Sequence, residues 1–221
     1  MIELISYWGS DLMVVNAARV SYGKNKDILD EKDIKLLSFL ADKHHIAPFY
    51  HPKLQFRLKI PIYVERQLTK TSVGVNLNNE IDSDINSISG RYVDFSDSYT
   101  EIKFGNWRKQ STLSKQGSEG LVENQSYCCE LQDQVYNTCK NAYEELIKLG
   151  VAKEQARTIL PLNLNTEFIW TGSLWAVIRL AQLRLKSDAQ KETRQVVQKM
   201  VDCIKNIKEN PFEYSLKAFD I

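Results

Sequence analysis

A chain of 221 residues with 29 basic and 28 acidic side chains carries a formal charge of +1. At 43% hydrophobic and 26% charged residues it has enough apolar mass for a real core, which excludes a disordered or fibrous chain. The charge balance argues against a protein that lives on a nucleic-acid backbone, and no apolar run approaches the roughly 20 residues that span a bilayer. Met1-Ile2-Glu3-Leu4-Ile5 lacks the basic start and long apolar stretch of a signal peptide, so the expectation is a cytoplasmic protein with no membrane and no nucleic-acid partner.

In chain order, Ile2 to Tyr7 reads as a short apolar strand. Asp30 is placed to cap a helix over Lys32 to Lys43, with Ile34, Leu36, Leu37 and Leu40 as its inner stripe. Leu54, Phe56, Leu58 and Ile60 alternate with Gln55, Arg57 and Lys59, the period of a half-buried strand. Pro61 then opens a helix carrying Arg66, Gln67 and Lys70. Asn76 to Asp84 is a loop rich in turn formers and acids. Its Asp82, Asp84, Asn86 spacing is not a calcium loop, because Ser87 and Val93 stand where glycine and glutamate are required.

Leu121 to Leu149 repeats Cys128, Leu131, Val135, Cys139, Ala142, Leu146 and Leu149 at helical spacing and predicts an amphipathic helix. A short helix from Ala152 ends at Leu160-Pro161, since the residue before proline is pushed out of helical geometry. Leu164 to Trp170 suits a strand, and Ser173 to Leu185 and Asp188 to Ile207 suit helices, the second opened by a Ser187…Gln190 capping box. Strands and helices mix without a regular βαβ alternation, and no repeat appears, so the expectation is one α+β domain over residues 1–221 with a mixed or antiparallel sheet.

Several residues carry chemistry that reads two ways. The helix from Ser173 is apolar nearly all round, yet contains Arg179 and Arg184, about 140° apart. A buried guanidinium keeps its proton, so these two and Arg157 need carboxylates of the fold or a ligand anion. His44, His45 and His51 stand without a supporting cysteine or acidic cluster, which favours ordinary histidines over a metal site. Ser87 to Tyr92 is either a plain turn or a loop whose N–H groups cradle a phosphate. Cys128, Cys129, Cys139 and Cys203 form no CxxC pair and read as reduced core thiols.

Together, in order along the chain, Ala17-Ala18-Arg19-Val20-Ser21, His45-Ile46-Ala47-Pro48-Phe49…His51, Arg66-Gln67, Ser89-Gly90-Arg91-Tyr92, Glu154-Gln155-Ala156-Arg157…Leu160-Pro161-Leu162, Leu183-Arg184 and Ala189-Gln190…Glu192 resemble the flavin-dependent thymidylate synthase (ThyX) family. The resemblance implies methylation of dUMP at C5, with methylenetetrahydrofolate as carbon donor, FAD as hydride carrier and NADPH as reductant. It implies a homotetramer with active sites at subunit interfaces, and no cysteine nucleophile.

Carried over by position, Gln67, Ser89, Gly90, Arg91, Arg157 and Arg184 would form the dUMP site, with Arg184, Arg157 and Ser89 closest to the chemistry. Ser21, His45, Ala47, Lys70, Thr71, Ser72, Asn86, Ser173 and Arg179 would contact FAD. His45 and Tyr92 would border the folate and nicotinamide. The chain departs from the pattern at Lys70-Thr71-Ser72, where most members read Arg-His-Arg, and at Asn86-Ser87, where many read Asn-Glu. Trp175 stands where a polar residue is common and serves either stacking or the core. The departures leave open an enzyme giving a hydroxymethylated product and a silent nucleotide-binding paralogue; the charge balance disfavours an RNA-binding module.

Overall fold

The computed structural model describes residues 1–71, 85–93, 98–113 and 115–221. The acidic loop expected at 76–84 and the expected flavin contact Ser72 lie outside the described residues. The fold is α+β. Strand β1 (Ile2–Trp8) leads to helices α1 (Asp11–Arg19) and α2 (Glu31–Asp42), then to strand β2 (Lys53–Pro61) and helix α3 (Ile62–Thr69). The short β3 (Ile85–Ser87) and the hairpin β4 (Arg108–Gln110) and β5 (Ser118–Leu121) precede the 24-residue α4 (Gln125–Lys148) and the one-turn α5 (Lys153–Ala156). Strand β6 (Asn165–Ser173) runs into α6 (Leu174–Arg184), followed by α7 (Lys191–Lys205) and α8 (Glu213–Ala218).

The main sheet is antiparallel in the order β1-β2-β6-β3, and the β4-β5 hairpin stands apart from it. Alternation in β2 sets the layers. Leu54, Phe56, Leu58 and Ile60 are at most 2% exposed and face the helices, while Arg57 on the other face donates from Nε to Glu167 Oε1 at 2.6 Å. Each such apolar side chain contributes about 1.5–3 kcal/mol on burial. Helix α6 is buried from Leu174 to Ile178 and again at Leu180 and Ala181, as its all-round apolar sequence predicts, and packs on α7.

Caps follow local chemistry. Asp30 forms the expected cap of α2, with Asp33 completing a reciprocal capping box. Ser173 Oγ accepts from Ala176 N at 3.1 Å and starts α6. The expected Ser187…Gln190 box does not form: α7 starts at Lys191, and the Gln190 side chain instead accepts from Gln67 Nε2. A second correction concerns α4. The helix is present, but Leu131, Val135 and Leu149 of its apolar stripe are exposed, and its buried residues are Gln125, Tyr136 and Tyr143. The cysteines lie on α4 and α7 as partly buried free thiols, less deeply placed than expected.

The candidate active site

At the ends of α3 and α6 the fold opens two adjoining hollows of ≈ 450 and ≈ 540 Å³, which share Lys70, Gln116, Arg184, Asp188 and Ala189. Thr71, Arg179, Leu183 and Lys186 complete the first; Gln67, Arg108, Gln110, Gly117, Ser118 and Gln190 complete the second. The first is markedly cationic, with Lys70, Arg179, Arg184 and Lys186 against Asp188 alone. The second is rich in amides. Such a cleft offers charge for an anion at one end and paired donors and acceptors for a polar ring at the other.

Arg184 is the pivot. Its Nη2 donates to the Gln67 carbonyl at 2.8 Å and to Thr71 Oγ1 at 3.4 Å, tying α6 to the end of α3. Its Nε is buried with no acceptor, a donor that a ligand carbonyl or anion would satisfy. Among the described residues no carboxylate pairs with Arg184, Arg179 or Arg157, so the ion-pair reading of these arginines finds no partner there. Gln67 is held on both sides: Thr193 Oγ1 donates to its Oε1 at 3.1 Å, and its Nε2 meets Gln190. These bonds fix the amide orientation before any ligand arrives.

Thus Gln67, Lys70, Thr71, Arg179 and Arg184 converge on one cleft. Thr71 is itself buried. The other expected residues do not line it in the single chain. Ser89, Gly90, Arg91 and Tyr92 form a turn beyond β3, in which Ser89 O accepts from Tyr92 N at 3.0 Å and Arg91 N donates to Ser89 Oγ at 3.3 Å. The Arg91 guanidinium lies 5.4 Å from the Tyr92 ring centroid, and both side chains are exposed. Asn86, on β3, is exposed. Arg157 is exposed on the 3₁₀ turn after α5.

Ser21, His45 and Ala47 are exposed, in the segments flanking α2. His45 sits edge-on to Phe39 with ring centroids 6.0 Å apart. Ser173 is fully buried and spends its hydroxyl on the α6 cap. Trp175 is buried against Phe219, which answers its two readings in favour of the core. Among the described residues no three His, Cys, Asp or Glu side chains group to hold a metal.

The sequence reading missed the hairpin wall, formed by Arg108, Gln110, Gln116, Gly117 and Ser118. Arg108 is joined to Glu192 on α7. Burial alone would raise the Glu192 carboxyl, but the Arg108 hydrogen bond, the residue's own backbone N–H and the Arg108 charge together hold it below its ordinary value.

The architecture defines an α+β protein whose central helices carry a cationic, amide-walled cleft. Comparison with known proteins gives that class a family. Residues 3–208 match the family model described as thymidylate synthase complementing protein. A flavin-dependent thymidylate synthase of Thermus thermophilus is 34% identical over 204 residues, 92% of this chain and 71% of the relative. One from Kosmotoga olearia is 34% identical over 197 residues, covering 88% of this chain and 80% of its own. A UMP/dUMP methylase PolB from Streptomyces cacaoi, solved with 5-Br dUMP, superposes with a TM-score of 0.82 at 22% identity, covering 100% of this chain and 94% of that one. The chain belongs to the thymidylate synthase complementing protein family.

Proposed function

We propose that this protein is a flavin-dependent thymidylate synthase that converts dUMP to dTMP with methylenetetrahydrofolate as carbon donor and NADPH as reductant. The observation that carries the reading is the convergence of Gln67, Lys70, Thr71, Arg179 and Arg184 on one cleft in a chain of this family. When bound, FAD supplies hydride transfer, the redox step no protein side chain can perform. A cationic cleft with the orphaned Arg184 Nε suits both an anionic cofactor and a nucleotide phosphate or uracil carbonyl.

In this reading Arg184 and Gln67 orient the pyrimidine. The fixed Arg184 charge stabilises negative charge that develops on the ring, and needs little rearrangement because its other nitrogen is already held by Gln67 O. Lys70, Thr71 and Arg179 contact the cofactor, with Ser72, Asn86, Ser21, His45 and Ala47 as its further contacts, while Ser173 acts by capping the helix that carries Arg179. Ser89, Gly90, Arg91 and Arg157 complete the nucleotide site, and His45 and Tyr92 border the folate and nicotinamide.

Because several of these residues lie off the cleft in one chain, the complete site is assembled between copies of a homotetramer, each copy a single catalytic domain over residues 1–221. The exposed Leu131 and Val135 on α4, with Leu149 just after it, supply apolar surface for such an interface. No helix among the described residues is long and apolar enough to cross a membrane, which is compatible with cytoplasmic nucleotide synthesis.

The test is flavin binding followed by nucleotide titration. The purified protein should be yellow, or become so with added FAD, and dUMP should perturb the flavin spectrum. Absence of both responses would refute the reading.

A further inference from the structure

We propose that Arg108 is a positioning residue that locks the β4-β5 hairpin against α7 and so builds the amide-rich wall of the cleft. The inference rests on the reading of that cleft as the dUMP site. Neither hairpin strand belongs to the main sheet, and a two-stranded hairpin is marginal on its own in water. Its orientation therefore depends on side-chain anchors.

At its base, Gln125 of α4 accepts from Gly105 N and Trp107 N, both at 3.1 Å, and donates to Trp107 O at 2.8 Å. That anchor ties the hairpin to α4 and leaves its tilt towards the cleft to other contacts. Arg108 supplies them with three different nitrogens. Nη2 donates to both Glu192 carboxylate oxygens, at 2.8 and 3.0 Å; Nε donates to Ser118 Oγ at 2.8 Å; Nη1 donates to Asn106 O at 3.2 Å. Lys191 Nζ donates to Asn106 Oδ1 at 3.1 Å beside it. One guanidinium thus joins β4, β5 and the turn before them to the first turn of α7.

The opposite end of this link is the nucleotide side of the cleft. Glu192 stands between Gln190 and Thr193, the two residues that hold the Gln67 amide, and Gln67 in turn holds Arg184. Ser118 borders Gly117 and Gln116, which face Arg184 across the hollow. With both Arg108 and Glu192 side chains only 18% exposed, water screens the pair weakly and cannot easily replace it. The three partners are met by three separate nitrogens of a planar fork, whereas lysine's donors share one atom and cannot span them.

The experiment compares wild type, R108A, R108K, E192Q and the swapped pair R108E/E192R as full-length, flavin-loaded enzymes. It measures dUMP KM and kcat, melting temperature, and amide hydrogen exchange of residues 106–121 without nucleotide. The expected result for R108A and R108K is faster hairpin exchange and a dUMP KM raised tenfold or more, with kcat within threefold and a cooperative melt retained. The swapped pair restores only the charge pair and loses the donors to Ser118 Oγ and Asn106 O, so its KM should stay as high as that of R108A.

Faster exchange with unchanged KM would overturn the proposal, because the hairpin would not shape the site. Raised KM with unchanged exchange would overturn it too, since Arg108 would then act on substrate directly. Parallel loss of kcat, KM and melting temperature would show a merely structural residue. If R108A does not fold, E192Q, which keeps the side chain's shape, is judged by the same criteria. A wild type that neither binds nor converts dUMP refutes the proposed function itself, and that failure is visible before any variant is made.

Discussion

Asp11 offers a quantitative test of how the chain termini are joined. Although it lies at the start of α1, it is 1% exposed and accepts hydrogen bonds from Tyr214 N at 2.8 Å and Ser215 N at 3.0 Å, and from Ser215 Oγ, at the opening of α8. Burial raises its carboxyl from 3.8 to about 6, opposed by those three hydrogen bonds and reinforced by Glu213. The folded state therefore holds the proton more tightly than the unfolded chain, and stability must fall as pH rises between 3.8 and about 6. The contribution is full below 3.8, amounts to about 3 kcal/mol there, and is about 1.4 kcal/mol at pH 5.

Asp11→Asn removes the titration and turns one accepting oxygen into an amide that faces backbone N–H donors, a loss of about 1–3 kcal/mol. Urea unfolding of both proteins at fixed concentration, at pH 5 and pH 7.5, gives the comparison. Wild type should exceed the variant by about 1.4 kcal/mol more at pH 5 than at pH 7.5. A constant gap across that interval would refute the reasoning, because Asp11 would then titrate alike in folded and unfolded chains.

Arg184→Ala should abolish dUMP turnover while retaining a cooperative melt, measured by product formation and circular dichroism; unchanged turnover would remove Arg184 from the centre of the site. A Cβ at Gly172 would lie 2.4 Å from Trp170 Cη2, so Gly172→Ala should destabilise by about 1–3 kcal/mol in urea unfolding. Leu131→Asp with Val135→Asp, on the exposed face of α4, should shift sedimentation towards smaller species, and an unchanged profile would place the interface elsewhere.

What the sequence made legible were elements whose own residues decide their burial. The alternation of Leu54 to Ile60 predicts β2, and the all-round apolar α6 announces a buried helix. The Asp30 cap is also local, since its hydrogen bonds lie within three residues. By contrast, α1 places Leu12 to Val15 in one contiguous run, and its first residue, Asp11, accepts from residues more than 200 positions away. The hairpin was missed because Arg108–Gln110 and Ser118–Leu121 are mostly exposed on both faces and show no apolar alternation. For α4 the apolar period was readable, but a period cannot say whether its partner is in the same chain.

Half of the candidate site was similarly readable. Gln67, Lys70, Thr71, Arg179 and Arg184 lie on the two helix ends that the fold brings together. At the Lys70-Thr71 departure, Thr71 is buried and its hydroxyl accepts from Arg184 Nη2. Arg108, Gln116 and Glu192 became visible only through tertiary contacts, since the ion pair joins residues 84 positions apart.

The central claim is tested most directly by incubating the protein with dUMP, methylenetetrahydrofolate, FAD and NADPH and weighing the nucleotide product. Formation of dTMP that depends on the flavin is the predicted result. A hydroxymethylated nucleotide, or no product despite measurable dUMP binding, would contradict it.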